Sequence, residues 1–299
     1  MVDGAGFEPA ASAMPTSQSF REKKLEIRLN SQIVPKFSEF MRVNMRLAPS
    51  TVKTSTEIAT RFLKNAKYVV SYETISDYLK GYLCKAPKTY NSQITALRRF
   101  VRDFRGHQKL IMPFRMAPVD PAGKNIKLPS KSQLKKGFEV QCDDRAKAVY
   151  LFTATSGLRR GEILDLTRDK IDFKLRTVIP QHFTRVKRSG ITFYNAETEK
   201  WLDKYLASRT DDDSRLFVIS DRKWKEIWKS SRKAAGIRIT PQILRAWFAT
   251  EMGELGVPDR FVDIFQGRAP RSVLARHYTG KGLKRLKRIY DKTDLKVFS

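Results

Sequence analysis

Cysteine and histidine are nearly missing from this chain: two and three, respectively, in 299 residues. Cys84 and Cys142 lie far apart and fit no metal-ligand spacing, which all but excludes a structural zinc site and a disulfide framework. So lean a cysteine count suits a reducing cytosol. No apolar run approaches the ~20 residues of a membrane span, and the N-terminus lacks the apolar core of a signal peptide. Acidic residues are also outnumbered, 31 against 59 Lys and Arg, leaving a net charge of +28. That surplus implies a polyanionic partner, with nucleic acid the leading candidate, although a basic surface in contact with solvent alone gives the same composition. Apolar residues, at 41%, suffice for globular folding, and the length suits two cores better than one.

Residues 1–19 are small, Pro-containing and aperiodic, and are expected to be a disordered leader. Residues 20–105 read as a helical bundle. Ile33, Val34, Phe37, Phe40 and Met41 recur at helical spacing, Pro49-Ser50 breaks the chain and offers a cap, and further helices follow Ser71 and span Thr89 to Phe104. Lys88, Arg98, Arg99 and Arg102 form a basic rim, which is either a solvated face or a phosphate contact. Residues 106–130, rich in Pro and Gly, read as a linker. A second module spans 131–280: a buried helix from Asp143, a short helix at GEILDL, a β-hairpin from RTVIP and ITFYNA, then three more helices, with a last amphipathic segment from Leu283 to Tyr290 beyond it. Residues 281–299 read as a basic tail, with Lys281, Lys284, Arg285, Lys287 and Arg288 expected to pack on DNA or on a neighbouring subunit. The fold class is thus mainly α with a small β-hairpin or sheet.

Four stretches of the second module carry candidate chemistry. In TSGLRRGEILDLT, Gly157 permits a tight turn, Arg159 precedes a helix, and Glu162 stands three residues on, able to orient a guanidinium. In TRVKRSG the hairpin tip holds Arg185, Lys187 and Arg188, and a lysine there can protonate a leaving oxygen. In ITPQILRAWFATEMGELG, Thr240 can cap and Pro241 suits the first helical position. Leu244, Trp247, Phe248 and Leu255 form the expected core stripe, while Gln242, Arg245 and Ala249 line another face. In FQGRAPRSVLARHYTG, Gly267 frees the backbone at Arg268, and Tyr278 follows ten residues later among Arg268, Arg271, Arg276 and Lys281. A phenol near its usual pKa of ~10 is a poor nucleophile, and such cations favour the phenolate.

Singly these are ordinary. Their order, from Gly-Leu-Arg through a lysine hairpin and Leu-Arg to Gly-Arg and Tyr, resembles the tyrosine recombinase (phage integrase) family over residues 131–280, with the bundle resembling that family's core-binding domain. The resemblance implies that Arg159 and Arg245 clamp a scissile DNA phosphate and that Tyr278 attacks it, giving a 3′-phosphotyrosyl link and a free 5′-hydroxyl. It implies Lys187 as the acid for the leaving oxygen, with Arg185 as fallback, and neither ATP nor metal as cofactor. Arg188 and Arg271 join the DNA-binding set, and a tetramer on double-stranded DNA is the expected assembly.

Two departures stand out. Gln242 occupies the place of a usual His or Lys and cannot shuttle a proton, and Arg268 that of a usual His or Trp. Arginine there resembles the archaeal fusellovirus-like integrases. The codons of Gly6-Phe7-Glu8-Pro9 can match the T-arm of a tRNA gene, which raises a tRNA-gene target lying inside the integrase gene. Rival readings are a type IB topoisomerase-like enzyme and a DNA-binding protein with a decayed site.

Overall fold

The computed structural model describes residues 25–120, 126–180, 190–268 and 280–298. They form two compact units that divide between Lys124 and Asn125. Both are mainly helical, with only short strands.

In the first unit, β1 (Ile27–Arg28) pairs antiparallel with β2 (Val69–Val70). Helix α1 (Ile33–Val43) buries Ile33, Phe37 and Met41, the one-face spacing that the sequence shows. Pro49 does not stand outside a helix capped by Ser50. It is itself the first residue of α2 (Pro49–Asn65), with Ala48 as cap, because its fixed φ suits that position and its missing N–H would have no partner there. Helix α3 (Tyr72–Lys80) starts on a reciprocal cap between Ser71 and Thr74. Helix α4 (Pro87–Leu97) runs on into a π-helical stretch, Arg98–Phe104. Ile94, Leu97, Phe100 and Val101 are fully buried along it.

Residues 106–120 are not the linker expected of them. Helix α5 (Gln108–Ile111) buries Leu110 and Ile111 in the first unit's core. Asn91 grips Ala117 beyond it, donating to its carbonyl at 2.9 Å and accepting its N–H at 2.8 Å. Two adjacent apolar side chains outweigh the loop-like composition around them.

The second unit is organised around α7 (Asp144–Ser156), which follows α6 (Lys131–Glu139). Asp143 caps α7 by accepting the Ala146 N–H at 2.7 Å. Every residue from Ala148 to Ser156 is buried. After the short α8 (Arg160–Leu164), β3 (Ile171–Asp172), β4 (Thr177–Val178) and β5 (Thr192–Phe193) form an antiparallel sheet. The expected hairpin is its β4–β5 pair, with Thr177 opposite Phe193, and β3 adds a third strand beyond that expectation. Helix α9 (Ala196–Ala207) packs on α7, and α10 (Asp221–Ala235) on α6. Helix α11 (Pro241–Glu254) also lies against α7 and precedes α12 (Asp259–Phe265). Leu255 is 41% exposed rather than part of the α11 core stripe, because the helix ends before it and Met252 takes the inward place.

The amphipathic segment expected from Leu283 to Tyr290 is helical, and within the basic tail it docks on its own unit. Helix α13 (Gly280–Lys292) and the residues after it bury Leu286, Tyr290, Leu295 and Val297 in this unit's core. Tyr290 donates to the Thr155 carbonyl at 2.8 Å, and Asn195 donates to that of Leu295 at 2.8 Å. Of the cations expected to reach a partner, Lys287 pairs with Asp291 and Arg285 lies 5.6 Å over the Phe261 ring. Leucine and tyrosine at helical spacing among the lysines explain the docking.

Candidate active site

The site is built where α7 ends. Gly157 terminates α7 with φ +63°, and a Cβ there would lie 2.6 Å from the Phe248 ring, so both backbone and packing require glycine. The turn presents the Gly157 carbonyl to α11 and starts α8 two residues on. Arg159 is the cap residue of α8. Its N–H donates to Glu162 Oε2 at 2.7 Å, and its Nη1 to Oε1 at 2.8 Å. Glu162 is 3% exposed, so a buried carboxylate fixes the guanidinium as the i, i+3 spacing suggests.

Arg245 stands in the middle of α11 and is buried, 7% exposed, not on a surface face as its helical position implies. Its Nη1 donates to the Gly157 carbonyl at 2.5 Å and its Nη2 to the Gln266 carbonyl at 2.6 Å. Both acceptors are neutral. Burial foremost, then the neighbouring Arg159 and to a smaller extent Arg268, push the Arg245 pKa down to about 10, although Glu162, whose effect exceeds that of Arg268, and Asp263 oppose them. At neutral pH the group is still a cation, desolvated and among like charges. An anion brought into this space relieves both penalties.

Gln266 is a site residue that the motifs do not single out. It is fully buried, and its Nε2 donates to the Arg245 carbonyl at 2.7 Å while its own carbonyl accepts from Arg245. This two-way tie fixes the turn that carries Arg268 to the helix that carries Arg245. A polar side chain between Phe265 and Gly267, in an otherwise apolar run, is the one signal that points to it. Gly267 has φ +60°, and Arg268, exposed, donates its N–H to the Asp263 carbonyl at 2.7 Å. The hairpin closes on the same turn: a Cβ at Gly190 would lie 1.8 Å from the Ile264 carbonyl oxygen.

Arg159, Gln242 and Arg245 line one cavity of about 670 Å³ together with Arg160, Trp224, Lys225, Trp228, Arg238, Thr240 and Pro241. Its lining holds five cations and no carboxylate. Ala249 is not part of it and packs against the core. Arg185, Lys187, Arg188, Arg271 and Tyr278 lie outside the described residues. The other tyrosines of the second unit, Tyr150, Tyr194, Tyr205 and Tyr290, are all buried, and burial pushes the phenols of Tyr150, Tyr194 and Tyr290 well above their ordinary range.

The first unit has its own basic recess of about 530 Å³, where Lys88 and Arg99 stand among Ser50, Thr51, Thr54 and Ser55. Arg99 donates to Ser55 Oγ at 2.8 Å. Arg98 and Arg102 do not join them: Arg98 donates to the Phe114 carbonyl at 2.9 Å, and Arg102 pairs with Asp103 at 2.6 Å. The four cations therefore form no single stripe. Among the described residues no group of three or more His, Cys, Asp or Glu could hold a metal, and no helix is long and apolar enough to cross a membrane.

Residues 132–282 match the model of the phage integrase family. The tyrosine recombinase XerA of Pyrococcus furiosus is 26% identical over 286 residues, covering 90% of this chain and 96% of that protein. Among solved structures, a lambda integrase dimer bound to a COC′ core site aligns with a TM-score of 0.64 and 13% identity, over 89% of this chain and 81% of that one. The Tn1549 transposon integrase in complex with circular intermediate DNA aligns with a TM-score of 0.60 and 16% identity, over 85% and 98%.

Proposed function

Since the chain belongs to the phage integrase family, the tyrosine recombinases that carry out site-specific recombination, we propose that its second unit cleaves and rejoins DNA at the Arg159–Arg245 cavity. The observation that carries this reading is Arg245, a buried guanidinium held by two backbone carbonyls, with Arg159 and Arg268 as neighbouring cations. Such a group is preorganised to meet a phosphate, and it gains most as charge builds on the non-bridging oxygens during attack. Arg159, oriented by Glu162, grips the same phosphate from the α8 side. Arg268 adds a third charge where Gln242 supplies none.

Tyr278 is the nucleophile. The phenol gives up its proton to solvent as its oxygen bonds to phosphorus, the bond from phosphorus to the 5′ oxygen breaks, and Lys187, or Arg185, gives that oxygen a proton. The burial of the other second-unit tyrosines supports Tyr278 as the attacker. The phosphotyrosyl link keeps the bond energy, so a 5′-hydroxyl from another strand reverses the step without ATP.

The substrate is double-stranded DNA carrying attachment sites, which Lys88 and Arg99 of the first unit help to hold. Exchange between two duplexes needs one protomer per strand, hence a tetramer. Arg268 and Gln242 favour an archaeal mobile element of the fusellovirus or plasmid type, and the Gly6-Phe7-Glu8-Pro9 codons favour a tRNA gene as target. Reading the gene's own nucleotides tests the last point: a tRNA 3′ half at its start supports it, and no such sequence ends it. For the chemistry, Tyr278→Phe should abolish a covalent protein–DNA species and keep DNA affinity. A wild-type chain that binds DNA tightly but never forms the adduct would point to a decayed site.

A further inference from the structure

The cavity has a second wall that strand cleavage does not use. Lys225 and Trp228 come to it from α10, and Arg238 from the segment before α11. Neither Lys225 nor Arg238 has a carboxylate partner among the described residues, whereas Arg160 nearby is drawn off to Asp221 at 2.5 Å and lies 5.7 Å over the Trp224 ring. Trp228 is 7% exposed, and its Nε1–H is buried with no acceptor among the described residues. A buried donor without an acceptor is uncommon in a folded protein and calls for a ligand atom or a water. Two cations lining the same cavity as Trp228, with no carboxylate in that lining, narrow the choice to a ligand that is anionic and accepts hydrogen bonds.

We propose that Lys225, Arg238 and the Trp228 indole form a second phosphate subsite, which takes the phosphodiester next to the one held by Arg159 and Arg245. This rests on the cavity being the strand-cleavage site. A cavity of about 670 Å³ exceeds what a single phosphate fills, and its two walls leave room for consecutive backbone groups of one strand. The subsite fixes the direction in which the strand crosses the clamp. It does so without reading bases, since phosphates carry no sequence.

The test is a salt titration of binding to a short duplex by the full chain. The pair Lys225→Ala and Arg238→Ala should lower the slope of log affinity against log salt by about 1, since together they neutralise one phosphate. Trp228→Phe, which keeps the ring and removes the donor, should weaken binding a few-fold in the wild-type background and add nothing in the double variant, because all three serve one phosphate. An unchanged slope, or a Trp228→Phe effect of equal size in both backgrounds, overturns the subsite. Arg245→Ala in the same titration separates the two readings. A lowered slope there with no change in the Lys225 and Arg238 variant leaves the clamp standing and removes only the second wall.

Discussion

The two basic recesses of this molecule are made differently. In the first unit, Lys88 and Arg99 stand among hydroxyls, and Arg99 is braced by Ser55. In the second, Arg245 is buried, held among the described residues by two carbonyl oxygens, and burdened by neighbouring guanidiniums. Lys88 is exposed and Arg99 half-buried, so solvent satisfies them in the absence of ligand and the first recess gains affinity from phosphate and little more. The second is left electrostatically unsatisfied until an anion arrives, which is the condition for stabilising a transition state more than a ground state.

Removing the buried charge should have the largest effect. Arg245→Ala is expected to slow covalent adduct formation by about 10²–10³-fold in single-turnover assays, with a much smaller loss of DNA affinity. Equal losses in both would erase the distinction between the recesses. Next comes the backbone on which the cavity stands. Gly157→Ala forces a Cβ into Phe248 at positive φ and should cost about 1–3 kcal/mol in denaturant unfolding, with adduct formation falling as the carbonyl that holds Arg245 moves.

Glu162→Gln sharpens the contrast from the other side. It frees Arg159 from its counter-charge, so anion affinity should rise while cleavage falls about tenfold because the guanidinium is less well oriented. Tighter binding combined with faster cleavage would show that orientation by Glu162 is unimportant. The smallest effect is expected in the first unit. Lys88→Ala with Arg99→Ala should lower the salt slope of binding by about 2, the loss falling on KM rather than on kcat.

How much of the molecule is legible in its sequence follows from how local each interaction is. The Arg159–Glu162 pair spans three residues and is visible as spacing, and so is the hairpin, whose strands flank a basic turn. Arg245 is visible as an unusual residue, yet helical periodicity puts it on a surface, because periodicity sees one helix and not the carbonyls of Gly157 and Gln266 that make burial tolerable. Gln266 acts across 21 residues, a distance that no pattern in its own segment reveals. Helix α13 is legible as an amphipathic segment from Leu283 to Tyr290, but its lysines and arginines point to DNA or a neighbouring subunit while its apolar residues dock it on its own unit. Composition weighed above pattern makes a linker of residues 106–130, although Leu110 and Ile111 anchor its start in the first unit's core.

The central claim is that a phosphate held by Arg159 and Arg245 is attacked by Tyr278. Its most direct test is to incubate the full chain with sheared DNA from the genome that encodes it, denature, digest with protease, and identify the nucleotide-bearing peptide by mass spectrometry. The account predicts one adduct, a 3′-phosphate on Tyr278, which is lost in Arg245→Ala. A phosphate linked to any other side chain, or an adduct that Arg245→Ala leaves intact, would contradict it.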